Sequence, residues 1–177
     1  MVIYLIRHAT PDWSRSDLAY HLPPGPPLVE QGCQEAQTLG DFLRGAGVRR
    51  LFTSPLERCQ ATAEIAAAEA RLTVQVEEGL IEWQPGEDQA TVTARVWPVF
   101  EAALKAGDAD GPVGLVSHGG PIAMLLLALG MGEAALAAQR CFYRGNPLPP
   151  AGAWEVRKAG DGDGWRLRLA FVPGESD

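Results

Sequence analysis

At 177 residues, the chain is long enough to bury one hydrophobic core, and we expect residues 1–177 to form a single domain. Hydrophobic residues make up 46% of the sequence and charged residues 21%, which is typical of a globular protein that dissolves in water. The net charge of −7 argues against nucleic acid or an anionic membrane as the main partner, because both attract positively charged surfaces.

The first predicted element is a buried strand at residues 2–6, a short run of apolar side chains. Arg7 and His8 follow it directly. Their position is informative because α/β enzymes keep their chemistry at the carboxyl ends of the strands. An irregular, proline-rich segment at 11–27 comes next, and loops beside such a strand end often shape a site.

A helix-start signal follows the second predicted strand. Ser54 is the expected N-cap, Pro55 fits the first helical position, and Glu57 would close a capping box. The predicted helix, 54–70, carries Arg58 in its first turn, where free backbone N–H groups favour an anion.

The remaining elements alternate between helices and strands. The apolar patterns predict helices at 30–44, 91–106, 121–129 and 133–139, and strands at 48–53, 72–76, 112–117, 154–158 and 165–172. Pro98 is expected to kink or split its helix, and a turn from Gly160 to Gly164 is expected to join the last two strands. The pattern therefore predicts an α/β fold: a three-layer sandwich with a mainly parallel sheet, helices on both faces and an antiparallel edge.

Two histidines and two arginines are expected to converge in this fold. The fourth predicted strand ends in His118, which two glycines follow. Because parallel strands end at the same edge of a sheet, His118 should lie near Arg7, His8 and Arg58. Such a cluster of cations and imidazoles suggests a pocket for a phosphoryl group.

The chemistry of phosphoryl transfer assigns a task to each residue type. It requires a nucleophile in line with the leaving oxygen, which a histidine can supply, and cations around the other oxygens. It also requires an acid that protonates the leaving oxygen. Glu82 is the best candidate, because it lies in a loop beside Trp83, where an apolar surrounding can raise the pKa of a carboxyl.

Five segments together resemble the histidine phosphatase superfamily, also called the phosphoglycerate mutase-like family. Residues 5–10 resemble its Arg-His-Gly signature, and the segments 27–32, 52–63, 80–82 and 116–120 resemble its first-helix start, second-arginine segment, acid-bearing loop and second-histidine motif, in that order. Each motif alone is weak, but their combination and order are specific.

The resemblance implies roles for particular residues. His8 would be the phosphorylated nucleophile, and Arg7, Arg58 and His118 would bind the phosphate, with His118 part of the catalytic group. Glu82 would be the proton donor. The family uses no metal and no other cofactor for this chemistry, and its fold is the phosphoglycerate mutase-like sandwich.

Some positions depart from the family pattern. Ala9 stands where the signature has glycine, and Ser14 stands where a phosphate-neighbouring Asn is typical, although its hydroxyl can still donate a hydrogen bond to phosphate. No Trp-Glu-Gly sequence follows Glu82, so Glu87 and Asp88 are substitutes for the acid. The loop before the next helix is short, which favours a compact phosphatase over a glycolytic mutase.

The sequence therefore favours a metal-independent phosphomonoesterase that acts on a small phosphorylated metabolite through a phosphohistidine. One alternative is a phosphomutase of the phosphoglycerate mutase type, and another is a catalytically weak protein that binds a phosphorylated ligand. A zinc site built from His8, His21 and His118 would be expected to show an HxH or HExxH spacing, and the sequence has neither. We therefore interpret His21 as a surface or substrate-loop histidine. The sequence is compatible with a homodimer.

The cysteines, the amino-terminal residues and the most apolar segment indicate where the protein resides in the cell. Cys33, Cys59 and Cys141 are isolated, without a CxxC motif, which fits a reducing compartment. The amino terminus shows no signal peptide, and the most apolar segment, 122–129, is far shorter than the roughly 20 residues that cross a bilayer. We expect a cytoplasmic protein with no membrane partner.

Overall fold

A six-stranded sheet lies at the centre of the protein in a computed structural model, which describes residues 1–160 and 164–174. The strands are β1 (Val2–Arg7), β2 (Arg50–Thr53), β3 (Thr73–Val76), β4 (Val113–Ser117), β5 (Ala153–Lys158) and β6 (Trp165–Phe171). Their order across the sheet is β3-β2-β4-β1-β5-β6. The first four strands are parallel, whereas β5 and β6 are antiparallel to their neighbours, which confirms the predicted mainly parallel sheet with an antiparallel edge.

Helices cover both faces of the sheet. They are α1 (Glu30–Gly45), α2 (Glu57–Ala70), α3 (Gln89–Asp110), α4 (Gly119–Ala128) and α5 (Glu133–Gln139), and short 3-10 turns occupy Glu78–Leu80 and Tyr143–Gly145. On β1, Ile3 and Leu5 pack into the core beneath α3 and α4, whereas Tyr4 and Ile6 pack into the core beneath α1 and α2. A strand that is buried on both faces must be apolar throughout, which explains the continuous run at the amino terminus.

The strand register brings the candidate residues together. β1 and β4 pair in parallel with Arg7 opposite Ser117, so the next residue of each strand, His8 and His118, emerges at the same edge of the sheet. The backbone N–H of His8 donates a hydrogen bond of 2.9 Å to the Ser117 carbonyl, which extends the pairing past the strand end.

The predicted capping box at the start of α2 is wrong. The helix begins at Glu57, with Leu56 in the N-cap position and no side chain capping it. Ser54 is fully buried, and its hydroxyl is hydrogen-bonded to His118 at 2.8 Å, whereas its bond from the backbone N–H of Leu56 is long, at 3.4 Å. A buried imidazole needs a polar partner, so the tertiary contact takes the hydroxyl that the local pattern had assigned to the helix.

Helix α3 is longer than predicted and is not split at Pro98. Proline removes one backbone donor, which leaves the carbonyl of Ala94 without its helical partner. Both Pro98 and Ala94 are exposed, so water can satisfy that carbonyl and the helix continues. The predicted turn from Gly160 to Gly164 falls mostly on residues 161–163, which lie outside the described residues.

Within residues 1–160 and 164–174, the helices are all too short or too polar to cross a membrane.

Candidate active site

The two predicted histidines lie side by side at the edge of the sheet. The ring centroids of His8 and His118 are 5.3 Å apart, and both residues are almost completely buried. Arg7 and Arg58 are buried beside them, at 2% and 0% exposure. Two buried arginines in one place are costly unless an anion compensates them, so the cluster is built for a negatively charged group.

His8 is held in one tautomer. Its Nδ1 lies 2.8 Å from the carbonyl of Ala9, which can only accept, so Nδ1 carries the proton and Nε2 keeps a free electron pair. Burial, together with the charges of Arg58 and Arg7, lowers the pKa of His8 well below its ordinary value. His8 is therefore a neutral imidazole with Nε2 as an available nucleophile. In this structure the Tyr20 hydroxyl donates to Nε2 at 3.2 Å.

Arg58 contacts the ring of His118 directly. As the second residue of α2 it donates from Nη2 to Nδ1 of His118 at 3.0 Å and from Nη1 to the carbonyl of Tyr20 at 2.9 Å. Its Nε is buried and has no hydrogen-bond partner among residues 1–160 and 164–174. Buried donors are nearly always satisfied in folded proteins, so this free N–H points to a ligand that accepts a hydrogen bond.

Arg7 is anchored from the loop that precedes β5. Its Nη1 donates to the Leu148 carbonyl at 3.1 Å, and its backbone N–H donates to the Gly152 carbonyl at 3.0 Å. Burial lowers the pKa of the guanidinium, but an arginine remains charged at any physiological pH. The positive charge beside His8 is therefore fixed.

His118 has the opposite tautomer to His8. Its Nδ1 accepts from the Arg58 guanidinium, so Nε2 carries the proton and donates to the Ser54 hydroxyl at 2.8 Å. Burial, followed by the charge of Arg58, lowers the pKa of His118 well below its ordinary value. Without a bound anion, His118 is neutral.

Glu82 reaches the same cluster from the loop after the first 3-10 turn. Its Oε2 lies 3.6 Å from Nδ1 of His118 and 3.8 Å from Nη2 of Arg58, while Oε1 accepts from the backbone N–H of Trp83 at 2.8 Å. The side chain is only 16% exposed, and this burial raises the pKa of Glu82 above its ordinary value. A carboxyl in this state can hold a proton and deliver it.

The two substitute acids have other partners. Glu87 forms an ion pair of 2.7 Å with Arg95, and the hydrogen bonds from Arg95 lower the pKa of Glu87. Asp88 caps α3 by accepting from the backbone N–H of Thr91 at 2.8 Å, and this bond lowers the pKa of Asp88. Both carboxyls favour the ionised form, so Glu82 is the acid that the geometry supports.

The structure does not bring Ser14 to the cluster. The exposed Ser14 hydroxyl donates to Asp12 at 2.6 Å, in a local turn of the proline-rich segment. His21 contributes its backbone carbonyl, which accepts from Gln84 at 2.8 Å. In the described part of the chain, no three His, Cys, Asp or Glu side chains form a group that could hold a metal ion.

Several contacts of the cluster are absent from the sequence-based expectations. Tyr20 touches both His8 and Arg58, Ser54 orients His118, and the Thr62 hydroxyl accepts from the Ala9 backbone at 2.9 Å. Ser54 could have been found, because it also follows a buried strand that ends at the same edge. Tyr20 lies in an irregular segment that offers no comparable signal.

The glycines after His118 serve the protein's own packing. A Cβ on Gly119 would lie 1.4 Å from Oδ1 of Asn146, and a Cβ on Gly120 would lie 3.4 Å from Oε1 of Glu82. The absence of side chains therefore lets the start of α4 approach two loops, one of which carries the candidate acid.

The sequence profile of the histidine phosphatase superfamily (branch 1) matches residues 3–89. This range contains four of the five predicted motifs, including Arg7, His8, Arg58 and Glu82. No curated protein matches the sequence of the chain.

Solved structures show the same fold. A mycobacterial glucosyl-3-phosphoglycerate phosphatase, in complex with VO3, is 23% identical with a TM-score of 0.75, covering 97% of this chain and 99% of that one. A phosphoglycerate mutase from Bacillus anthracis str. Sterne is 15% identical with a TM-score of 0.75, covering 96% of this chain and 92% of that one. The profile match covers about half of the chain, and the solved structures share its fold over nearly all of it, so motifs and fold both resemble the histidine phosphatase superfamily.

Proposed function

We propose that this protein is a member of the histidine phosphatase superfamily and a metal-independent phosphomonoesterase that works through a phosphohistidine on His8. The observation that carries the proposal is the state of His8. Its Nδ1 proton is fixed on the Ala9 carbonyl, so Nε2 carries the electron pair, and Arg7 and Arg58 are buried in the same cluster. That arrangement suits a nucleophile that attacks a dianionic phosphoryl group.

In the first half-reaction, Nε2 of His8 forms a bond to phosphorus while the bond from phosphorus to the ester oxygen breaks. The electron pair of the broken bond stays on the leaving oxygen, which takes a proton from the Glu82 carboxyl. Burial of Glu82 keeps that proton available, because it disfavours the ionised carboxylate. The products of this step are the free alcohol, phosphohistidine and the Glu82 carboxylate.

Three side chains stabilise the transferring group. Arg7 and Arg58 supply fixed positive charge, and the unpartnered Nε of Arg58 can donate to a phosphoryl oxygen. His118 can add a further donor, because a bound dianion offsets the burial and the arginine charge that keep the ring neutral. Removal of one such preorganised donor typically lowers catalysis by about 10²–10³-fold.

In the second half-reaction, water attacks the phosphorus of phosphohistidine. The Glu82 carboxylate takes one proton from this water, the N–P bond breaks, and its electron pair returns to Nε2 of His8. Inorganic phosphate leaves, and Glu82 is again protonated. The cycle uses no external acid, base or metal, because the same carboxyl acts in both directions.

A small phosphorylated metabolite is the substrate class that we propose. His8, His118 and Arg58 are buried together, and a cluster of this size suits a single phosphoryl group. Phosphatase activity is favoured over phosphomutase activity because α3 begins at Gln89, soon after Glu82. The short connection leaves little chain to enclose the second phosphate of a bisphosphate.

The test is hydrolysis of p-nitrophenyl phosphate in the presence of excess chelator. We expect full activity with the chelator and loss of activity in His8→Ala. His21→Ala is the matched control, because that histidine contributes only its backbone carbonyl to the surrounding contacts described above. Activity that the chelator abolishes, or full activity in His8→Ala, would contradict the proposal, and conversion of a phosphoglycerate to its isomer without free phosphate would indicate a mutase.

A further inference from the structure

The side chain of Arg95 is hydrogen-bonded to the segment at residues 79–87, which carries Glu82. From α3 its guanidinium donates five hydrogen bonds, to the carbonyls of Gly79 (2.8 Å), Ile81 (2.8 Å) and Glu82 (3.1 Å) and to both carboxylate oxygens of Glu87 (2.7 and 2.9 Å). A guanidinium has five N–H donors in a rigid plane, so one side chain fixes the backbone on both sides of the candidate acid.

Close packing accompanies these bonds. A Cβ on Gly79 would lie 2.5 Å from the backbone oxygen of Arg95, so the segment lies directly against α3 at this point. The Ser117 hydroxyl, at the end of β4, donates to the Leu80 carbonyl at 2.7 Å. The segment is thus tied to a helix and to the strand that leads into His118, although most of it has no regular secondary structure.

We propose that Arg95 is a positioning residue for the proton transfer at Glu82, an inference that rests on the proposed function. Arg95 does not touch the reacting atoms. It holds the backbone of Glu82 so that Oε2 stays near Nδ1 of His118 and Nη2 of Arg58, 3.6 and 3.8 Å away. Proton transfer to a leaving oxygen requires hydrogen-bond distance, so a loosened segment would impair acid catalysis before it impaired phosphate binding.

Substrates with different leaving groups separate this role from a merely structural one. Nitrophenolate can leave without taking a proton, whereas the alkoxide that leaves glycerol phosphate needs a proton. We expect Arg95→Met to lower kcat/KM by about 10–100-fold for glycerol phosphate and by less than about 3-fold for p-nitrophenyl phosphate. Arg95→Lys keeps the charge but can form fewer of the hydrogen bonds, so its kcat/KM for glycerol phosphate should lie between those of Arg95→Met and the unaltered protein. Arg44→Met is the matched control, since Arg44 also bonds an acid and a backbone carbonyl, but on exposed surface.

A double-mutant cycle with Glu82→Gln completes the test. If Arg95 acts through Glu82, Arg95→Met should cost almost nothing further in the Glu82→Gln background. Equal losses for the two substrates, or additive losses in the double variant, would overturn the inference. If Glu82→Gln lowers activity on glycerol phosphate selectively and Arg95→Met does not, the inference alone fails. If Glu82→Gln shows no selectivity, the acid assignment in the proposed function fails with it.

A separate set of contacts concerns Tyr20, in the proline-rich segment. Its hydroxyl lies 3.2 Å from Nε2 of His8, its carbonyl accepts from Nη1 of Arg58 at 2.9 Å, and its ring centroid lies 3.9 Å from the Arg58 guanidinium carbon. The ring of Trp13 stacks on Tyr20, with centroids 5.3 Å apart. Tyr20 therefore occupies the electron pair on Nε2 of His8, which would attack phosphorus. It also occupies Nη1 of Arg58, a donor that a phosphoryl oxygen would need.

We further propose that Tyr20 is a gating residue, which must leave His8 and Arg58 before a phosphoryl group can bind. This inference also rests on the proposed function. The competition is direct, because Nε2 of His8 cannot accept from a phenol and attack phosphorus at once. The apparent affinity of the site for a small anion is then the intrinsic affinity multiplied by the fraction of molecules in which Tyr20 has withdrawn.

The test is the inhibition constant of inorganic phosphate. If the open fraction is about one tenth, Tyr20→Ala should bind phosphate about 10-fold more tightly than the unaltered protein, with Tyr20→Phe between them. Tyr143→Ala is the matched control, because Tyr143 is half-exposed and packs on Trp13 rather than on Arg58. Unchanged or weaker binding in Tyr20→Ala would overturn the gate. Failure of the proposed function would show independently, as activity retained in His8→Ala.

Discussion

Ser54 and His118 are joined by a hydrogen bond of 2.8 Å between the serine hydroxyl and Nε2 of the ring. This bond fixes the ring so that Nδ1 faces Arg58. We expect Ser54→Ala to lower kcat/KM by about 10-fold or more, because the ring loses its orientation. We also expect a loss of about 1–3 kcal/mol in the free energy of unfolding, because a buried N–H loses its partner.

Ser14→Ala is the control for Ser54→Ala. The Ser14 hydroxyl is exposed and bonds Asp12, so its removal should leave kcat/KM within about 2-fold and the stability nearly unchanged. Both variants are assayed with p-nitrophenyl phosphate and by thermal unfolding. A larger loss of activity in Ser14→Ala than in Ser54→Ala would contradict the site as described.

Arg58→Lys should be severely impaired even though it keeps the positive charge. Arg58 bonds the Tyr20 carbonyl and the His118 ring at once and keeps Nε free for a ligand, and a single ammonium cannot reproduce this geometry. We expect kcat/KM to fall by about 10²–10³-fold. Arg50→Lys, at an exposed ion pair with Asp110, should be neutral. Near-normal activity of Arg58→Lys would mean that charge alone is required.

The low pKa of His8 predicts the acid side of the activity profile. His8 must be neutral to attack, and burial with two neighbouring arginines lowers its pKa well below 6.5. We therefore expect kcat/KM, corrected for ionisation of the substrate, to persist below pH 6.5 before it falls. A midpoint of the acid limb at or above pH 6.5 would contradict the described surroundings of His8.

The same lowered pKa makes stability depend on pH. Below about pH 6.5 the unfolded chain protonates His8. The folded chain leaves it neutral, so the unfolded state binds more protons and stability falls as pH falls. From pH 7.5 to 5.5, His8 should contribute a loss of at most about 1.4 kcal/mol. Denaturant unfolding of the unaltered protein and His8→Ala at both pH values measures this difference, and identical pH dependence of the two would contradict it.

Much of the fold could be predicted from sequence because the strands are buried on both faces. The apolar runs before His8 and His118, in a chain where strands and helices alternate, predict a central parallel sheet, and the register of β1 and β4 places both residues at one edge. Arg58 follows from the same logic, since α2 starts just after β2. These assignments need only local periodicity and the general position of sites in α/β folds.

The contacts that could not be predicted are those made by irregular segments. Ser14 and Tyr20 belong to the same proline-rich stretch, and no periodic pattern indicates which of them turns inward. Ser54 fits a helix cap by local rules, but the buried ring of His118 competes for its hydroxyl. Arg95 was placed on a helix, yet its partners lie in a loop whose path depends on the whole fold.

The central claim is that His8 carries the phosphoryl group during turnover. Its most direct test is to quench the enzyme in alkali during hydrolysis of a radiolabelled aryl phosphate and to map the label by peptide mass spectrometry. We expect a label that is stable in alkali, labile in acid and confined to His8. A label on another residue, or turnover with no labelled protein at any time after mixing, would contradict the claim.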